Sequence, residues 1–335
     1  MFDHDNDVVL SSRIRLARNL KDIPFPSVMS DKDALKVKED IKKAIFDSKT
    51  ILSTQFAEYD MNKISPLERQ SLVERHLISP DLAQNTKNGC ALIKNDSSVS
   101  IMINEEDHLR IQTLFSGLNL LDAWDLADKI DDLIEENVNY AFNEKLGYLT
   151  SCPTNVGTGI RASVMVHLPA LSITGQIGNI LNSVSKIGIT VRGMYGEGTQ
   201  SLGDIYQLSN QVTLGQNERE IIENQEGIVK QIITNERQAR EDLYKKRRIQ
   251  IEDRVGRAYG LITNARVMST QEFMRLISDV RLGAVLNIIN IDLKKIDELT
   301  THIQPGNLQR IIGKQLEPYD RDVKRAEYVA KLIRG

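Results

Sequence analysis

The nine residues VVLSSRIRL at positions 8–16 alternate without interruption. Leu10, Ser12, Ile14 and Leu16 share one face, and Val9, Ser11, Arg13 and Arg15 share the other. A period of two is that of a strand with one packed and one open face. The pattern recurs at Val99, Ile101 and Ile103, at Val164, Val166 and Leu168, and at Ile187, Ile189 and Val191. Such strands predict an antiparallel sheet covered on one side. Helical patterns over 31–48 and 120–145 lie between them, with Asp31 placed to cap the first. The fold class that follows is α+β.

From about residue 216 the texture changes. Ile221, Ile228, Ile232, Ala239 and Leu243 recur at steps of seven and four, one stripe of a long amphipathic helix. Further helical patterns cover 270–290 and 306–334, with Gly260 and Pro305-Gly306 as breaks, and strand signals nearly vanish. The expected organisation is a mixed catalytic domain over 1–218 and a helical domain over 219–335.

Composition narrows the function classes. The chain has 335 residues, 41% hydrophobic and 27% charged, enough to bury a core and unlike a disordered chain. A net charge of -3 gives no reason to expect nucleic acid as a partner. KKRR at 245–248 reads as a solvated helix face. Two cysteines, Cys90 and Cys152, are too few for a disulfide framework. No run reaches the roughly 18 apolar residues of a membrane span, and MFDHDND is acidic where a signal peptide is basic. The expectation is a cytoplasmic protein without a membrane or nucleic-acid partner.

Four stretches carry residue types suited to chemistry. Arg13 and Arg15, at i and i+2, project two guanidinium groups from one strand face, a geometry that suits adjacent phosphates and also occurs in ordinary exposed strands. Asn104-Glu105-Glu106-Asp107-His108 sets three acids in a row after a strand: a solvated acidic turn, or a site facing a cation. The stretch from Ser151 to Arg161 joins Cys152-Pro153 to small residues and glycines in a turn able to face an anion. Its cysteine fits an inert buried thiol as well as a reactive one. Arg192 to Thr199, RGMYGEGT, is a glycine-rich flap or surface turn with Glu197 in its middle, and it matches neither a Walker A nor a GxGxxG motif. Together Arg13, Arg15, Arg110, Arg161 and Arg192 could neutralise a triphosphate of about four charges. Glu106 and Glu197 remain to hold a cationic acceptor and take its proton.

These stretches resemble the phosphagen (ATP:guanido) kinase family, which includes creatine and arginine kinases. SSRIR at 11–15, NEEDHLR at 104–110, CPTNVGTGIRASV at 152–164 and RGMYGEGT at 192–199 stand in the family's order. The resemblance implies an antiparallel sheet flanked by helices, of the type shared with glutamine synthetase, and MgATP as phosphoryl donor. It places Arg13, Arg15, Arg110, Arg161 and Arg192 on the nucleotide phosphates, with His76 near the nucleotide. By motif position the ATP site also takes in Ser11, Ser12, Ile14, Ala162, Ser163, Val164, Met165, Gly193, Met194, Tyr195, Gly196 and Glu197. It makes Glu106 the catalytic carboxylate, Glu197 its partner, and Cys152 the thiol beside the guanidino group. No resident metal ligand is expected; Mg2+ accompanies ATP.

Creatine and arginine kinases carry a helical domain ahead of the SxRxR strand, whereas ten residues precede Ser11 here and a helical region follows the catalytic one. That arrangement is similar to the bacterial protein-arginine kinases. Met165 stands where creatine and arginine kinases usually have histidine, and Met194-Tyr195 differ from their flap. Arg321-Asp322-Val323-Lys324-Arg325-Ala326 matches an RDxxRA motif tied in those enzymes to phosphoarginine binding and allosteric activation; by itself it also reads as a solvated helix face. The resemblance thus implies phosphorylation of protein-bound arginine in bacterial stress response. Implied partners are a heat-shock repressor as substrate, an activator protein, the Clp protease machinery and a second copy in a homodimer. A kinase of free arginine or another small guanidine, and a silent adaptor, are the alternatives.

Overall fold

The computed structural model describes residues 5–193 and 201–334. The chain divides into two compact units: Ser11–Val164 with Ser209–Glu226, and the described parts of 1–10, 165–208 and 227–335.

The first unit is built on β1 (Val9–Arg18), α1 (Asp31–Phe46), β2 (Phe56–Asp60), α2 (Pro66–Glu74) and α3 (Pro80–Gln84). It continues through β3 (Cys90–Lys94), β4 (Val99–Ile103), β5 (Leu109–Ser116), α4 (Leu120–Glu135), the small hairpin β6 (Phe142–Asn143) and β7 (Gly147–Tyr148), and β8 (Ile160–His167). The strand order is β2-β3-β4-β5-β1-β8, and the pairs from β2 to β1 are antiparallel. On one face Ile14, Leu16, Ile101 and Ile111 are fully or almost fully buried. α4 is docked on that side, with Thr113 Oγ1 donating to the Ala123 carbonyl at 2.7 Å.

The other face departs from the expected open surface. Ala91, Ile93 and Met102 are buried there in a second cluster with Met61, Leu72, Leu77, Ile78 and Leu82 from α2, α3 and their flanks. β4 is therefore buried at all five positions. What remains for polar chemistry on this face is its β5-β1-β8 part.

Local chemistry explains the boundaries. Ser30, not Asp31, caps α1: its hydroxyl accepts from the Asp33 N–H while the Asp33 carboxylate accepts from the Ser30 N–H, a reciprocal box. Asp31, one residue in, accepts instead from Lys87 at 2.6 Å. α4 stops at Glu135 rather than near 145, because Asn137 and the β6–β7 turn, with Gly147 at φ 77°, take the chain away.

The second unit holds α5 (Pro169–Ile173), α6 (Ile177–Ser185), β9 (Ile189–Gly193) and β10 (Ile205–Asn210), with strand order β8-β10-β9. Among the described residues no strand follows β10. The chain continues as α7 (Glu218–Asn264), α8 (Thr270–Val285), α9 (Leu293–His302), α10 (Pro305–Ile312) and α11 (Pro318–Arg334). α7 has non-helical backbone at Arg247, φ -135° and ψ 38°. The pattern over 306–334 is two helices, since Gly313 adopts the left-handed conformation that ends α10 and Pro318 starts α11. Phe273, Met274, Ile277, Ile296, Leu299 and Val329 share this unit's core with residues of α7. No helix among the described residues is long and apolar enough to cross a membrane.

Candidate active site

The register of β1 against β5 sets Arg13 opposite Leu114, Arg15 opposite Gln112 and Ala17 opposite Arg110. Directly opposed residues share a sheet face, so Arg13, Arg15, Gln112 and Arg110 converge on the part that α2 and α3 leave available. Arg161, on β8, joins them electrostatically. Burial drives the Arg15 guanidinium well below its ordinary range, and the charges of Arg13, Arg110 and Arg161 push the same way. Arg13 is pulled down to about 10 by burial and by Arg110. Arg15 Nε is buried without a hydrogen-bond partner. Like charges held together, with a buried donor unspent, form a site that an anion would relieve.

The acids sit in a tight turn. Asn104, buried and in the left-handed region at φ 59°, ends β4. Its N–H bonds the His108 carbonyl at 3.0 Å, and the Glu105 N–H bonds the Asp107 carbonyl at 3.1 Å. Adjacent acids thereby separate into three environments. Glu105 has its side chain 2% exposed and accepts from Arg110 at 2.8 and 2.9 Å and from the Ser79 hydroxyl at 2.7 Å. Glu106 is 44% exposed and accepts from Arg110 at 3.0 Å. Burial raises its carboxyl above the usual range; Arg110 opposes this, and Asp107 and Glu105 reinforce it. Asp107 is buried, accepting from Asn19 Nδ2 and from the Ser151 N–H, both at 2.7 Å. It ties the acidic turn to the cysteine-bearing segment.

That segment is a loop closed at its base by Tyr148 and Gly157, whose N–H groups bond each other's carbonyls at 2.8 and 3.3 Å. Arg18, stacked 3.5 Å from the Tyr148 ring centroid and donating to the Thr158 carbonyl at 2.9 Å, braces it. Cys152 is half-buried with Sγ 3.0 Å from Thr154 Oγ1. Cys90 is the contrasting thiol, buried and pushed up to about 12 by desolvation. Arg161 Nη2 donates to Asn155 Oδ1 at 3.2 Å.

His76 borders the arginines. Its backbone is left-handed at φ 59°, and its carbonyl accepts from Gln112 Nε2 at 2.6 Å. Burial and the Arg13 charge lower its imidazole to about 4, so it is neutral at pH 7. Glu105, Ser79 and Gln112 are absent from the sequence-level site. Each matters through a fold contact rather than a motif, although Glu105 stood beside Glu106 in the acidic run.

Other expected residues fall elsewhere. Ser12, Ile14, Ala162 and Val164 are buried on the opposite faces of their strands, and the Ser12 hydroxyl donates to the Gly117 carbonyl at 2.7 Å. Their side chains do not line the arginine face. Ser163 is buried with its Oγ accepting from Ser209 at 3.0 Å, and Ser11 is half-buried. Met165, packed against the helical core, Arg192 and Gly193 belong to the second unit. Met194, Tyr195, Gly196 and Glu197 lie outside the described residues.

In the RDxxRA stretch Arg325 is fully buried rather than solvated. It donates to the carbonyls of Ile303 at 2.9 Å and Met268 at 2.8 Å, and to Asp322. Ala326 is fully buried, and Arg321 Nε is buried without a hydrogen-bond partner. A cavity beside them is lined by Val323, Ala326, Tyr319, Arg266 and Arg334 among others. No group of three or more His, Cys, Asp or Glu suited to a metal ion is present among the described residues.

Residues 36–239 match the family model of the ATP:guanido phosphotransferase C-terminal catalytic domain. Residues 248–334 match that of the protein-arginine kinase McsB C-terminal domain. The chain is 72% identical over 330 residues to a protein-arginine kinase of Caldanaerobacter subterraneus subsp. tengcongensis, covering 98% of each chain. It is 49% identical to one of Moorella thermoacetica, over 98% of this chain and 95% of that one. Among solved structures it resembles a lombricine kinase, with a TM-score of 0.62, 27% identity, and 70% and 68% of the two chains covered.

Proposed function

The chain belongs to the ATP:guanido phosphotransferase family, and from that premise we propose that it transfers the γ-phosphoryl of ATP to the guanidino group of arginine residues in proteins. The observation that carries the reading is Arg110, which joins a cluster of guanidinium groups to the carboxylates of Glu105 and Glu106. One residue links a site for phosphate to a site for a proton.

Arg13, Arg15, Arg110 and Arg161 hold the phosphates, and Arg192 is carried into this role by resemblance. Four fixed cations match a triphosphate of about four charges and need no reorganisation as charge moves. Mg2+ brought in with the nucleotide would supply further charge neutralisation, beside that given by the arginines. The acceptor is a guanidinium, protonated at neutral pH and not nucleophilic in that form. Glu106 accepts one of its N–H protons as the nitrogen bonds phosphorus and the bond from the γ-phosphorus to its bridging oxygen breaks, releasing ADP. The raised affinity of the Glu106 carboxylate for a proton suits that task. By resemblance, Glu197 is the second carboxylate for the guanidinium and Cys152 is the thiol that accompanies it. His76, neutral, borders the nucleotide without adding charge.

The helical region from 219 serves substrate binding, dimerisation and a phosphoarginine site at Arg321, Asp322, Arg325 and Ala326. Arg325 supports that stretch from the core through the carbonyls of Ile303 and Met268 and through Asp322, and the unspent Arg321 Nε is a donor in reserve. The setting is the cytoplasm under stress. Modification there inactivates a heat-shock repressor and marks proteins for Clp proteolysis, with an activator protein engaged.

The test is to incubate the enzyme with MgATP and an arginine-rich protein, then locate phosphate by mass spectrometry under non-acidic conditions. Phosphate on arginine, absent with Glu106→Gln, is expected; phosphate on serine or threonine alone refutes the reading.

A further inference from the structure

Four large apolar side chains border the Cys152 loop in the first unit. Phe142 and Leu146, on the β6–β7 hairpin, are 58% and 47% exposed; Val212 and Leu214, after β10, are 50% and 52% exposed. Backbone contacts bring their segments to the base of the loop. A Cβ on Gly157 would stand 2.5 Å from the Thr213 carbonyl oxygen and 2.9 Å from Leu214 Cα. One on Gly147 would stand 2.4 Å from the Gly157 oxygen. The hairpin, the loop and the 212–214 segment therefore meet at these two glycines.

Thr213 is buried, with its hydroxyl 3.0 Å from the Thr154 carbonyl and 2.7 Å from that of Val156, able to donate to either. On a segment of alternating sides, turning Thr213 toward the loop turns Val212 and Leu214 outward together. Thr154 is two residues from Cys152, so their Cα atoms are at most about 7 Å apart. Pro153 and Thr154, between the thiol and this anchor, are exposed. The four apolar side chains thus stand on segments anchored to the loop that holds Cys152.

We propose that this rim receives apolar residues of the protein substrate next to the target arginine, so that the enzyme selects arginines with apolar neighbours. The inference rests on the proposed placement of the acceptor beside Cys152 and Glu106. A polypeptide is the occupant because an arginine delivered there brings its neighbours across the adjoining surface at about 3.3 Å per residue. Isolated exposed apolar residues are ordinary, but here four stand on two segments that both meet one closed loop. Burying the exposed halves of two such side chains corresponds to roughly tenfold in affinity.

The experiment uses the full chain, MgATP and two peptides of equal charge, one with Leu and Phe flanking a single arginine and one with Gly. The expected result is a kcat/KM about tenfold higher for the apolar peptide, arising in KM. Val212→Ser/Leu214→Ser should abolish that preference and leave the glycine peptide and the KM for ATP unchanged. Leu146→Ser is the second variant, and circular dichroism checks folding of both. Equal use of both peptides by the unaltered enzyme overturns the inference while leaving arginine phosphorylation standing. So does a variant that changes the sedimenting mass but not the preference, which would assign the rim to a second copy. Phosphorylation of free arginine with neither peptide used overturns the inference together with the function on which it rests.

Discussion

Replacing Glu105 with Gln removes a charge from the most enclosed part of the site. The Glu105 side chain is 2% exposed, and Arg110, 13% exposed, gives it contacts of 2.8 and 2.9 Å. Stripping one partner from a buried pair costs about 3–5 kcal/mol, because the other charge stays buried. Glu106 retains its 3.0 Å contact with Arg110 and offsets part of that, although at 44% exposure it is a weaker counter-charge. The remaining cost is about 2–3 kcal/mol, which lowers the melting temperature of a chain of this length by roughly 3–4 °C. A thermal melt followed by circular dichroism at pH 7 without nucleotide measures it. The same substitution carries a second signature. Glu105 raises the Glu106 carboxyl and Arg110 lowers it, so losing Glu105 lets Arg110 pull it down. The acid limb of the kcat/KM profile moves to lower pH. An unchanged melting temperature, or a limb moving to higher pH, would overturn this role for Glu105.

Arg15→Met removes one of four mutually repelling cations, so the nucleotide-free protein should melt at the same temperature or a few degrees higher. Calorimetry should show ADP affinity falling roughly 10- to 200-fold, the value of one charge-assisted contact of about 1.5–3 kcal/mol. Glu236 is fully buried, accepts from the N–H groups of Ala170 and Leu171 at 3.0 Å, and is pushed by burial from 4.5 up to about 7. An acid raised on folding contributes stability that is complete below pH 4.5 and lost as pH rises through about 7. Melts across pH 5–8 should therefore show a decline, worth at most about 3 kcal/mol, that Glu236→Gln flattens. Arg325→Met leaves the buried carbonyls of Ile303 and Met268 without this donor, and denaturant titration should show a loss of about 3–5 kcal/mol.

The arginine face was legible in part. Period two alone puts Arg13 and Arg15 on one side of a strand. Arg110 joins them through the pairing of β1 with β5, a non-local register that no window of sequence contains. Glu105 and Glu106 are chemically identical neighbours; the left-handed Asn104 determines which is enclosed and which is exposed. α9 went unseen because its three buried residues, Leu293, Ile296 and Leu299, are too few to mark a period. Arg325 reads as surface because it stands in a charged run, yet two carbonyls and Asp322 receive it in the core. α2 and α3, whose apolar cluster covers half the supposedly open face, explain why strand alternation overstated its exposure.

The central claim, that the acceptor is arginine held in a protein, is tested most directly by competition in one tube. Free arginine and an arginine-containing protein, at equal guanidino concentration, are offered limiting MgATP. Phosphorus NMR at alkaline pH then divides the nitrogen-bound phosphate between them. Most of the phosphate should be on the protein, and Glu106→Gln should remove it from both. Phosphate on free arginine alone, with the protein unmodified, would contradict it.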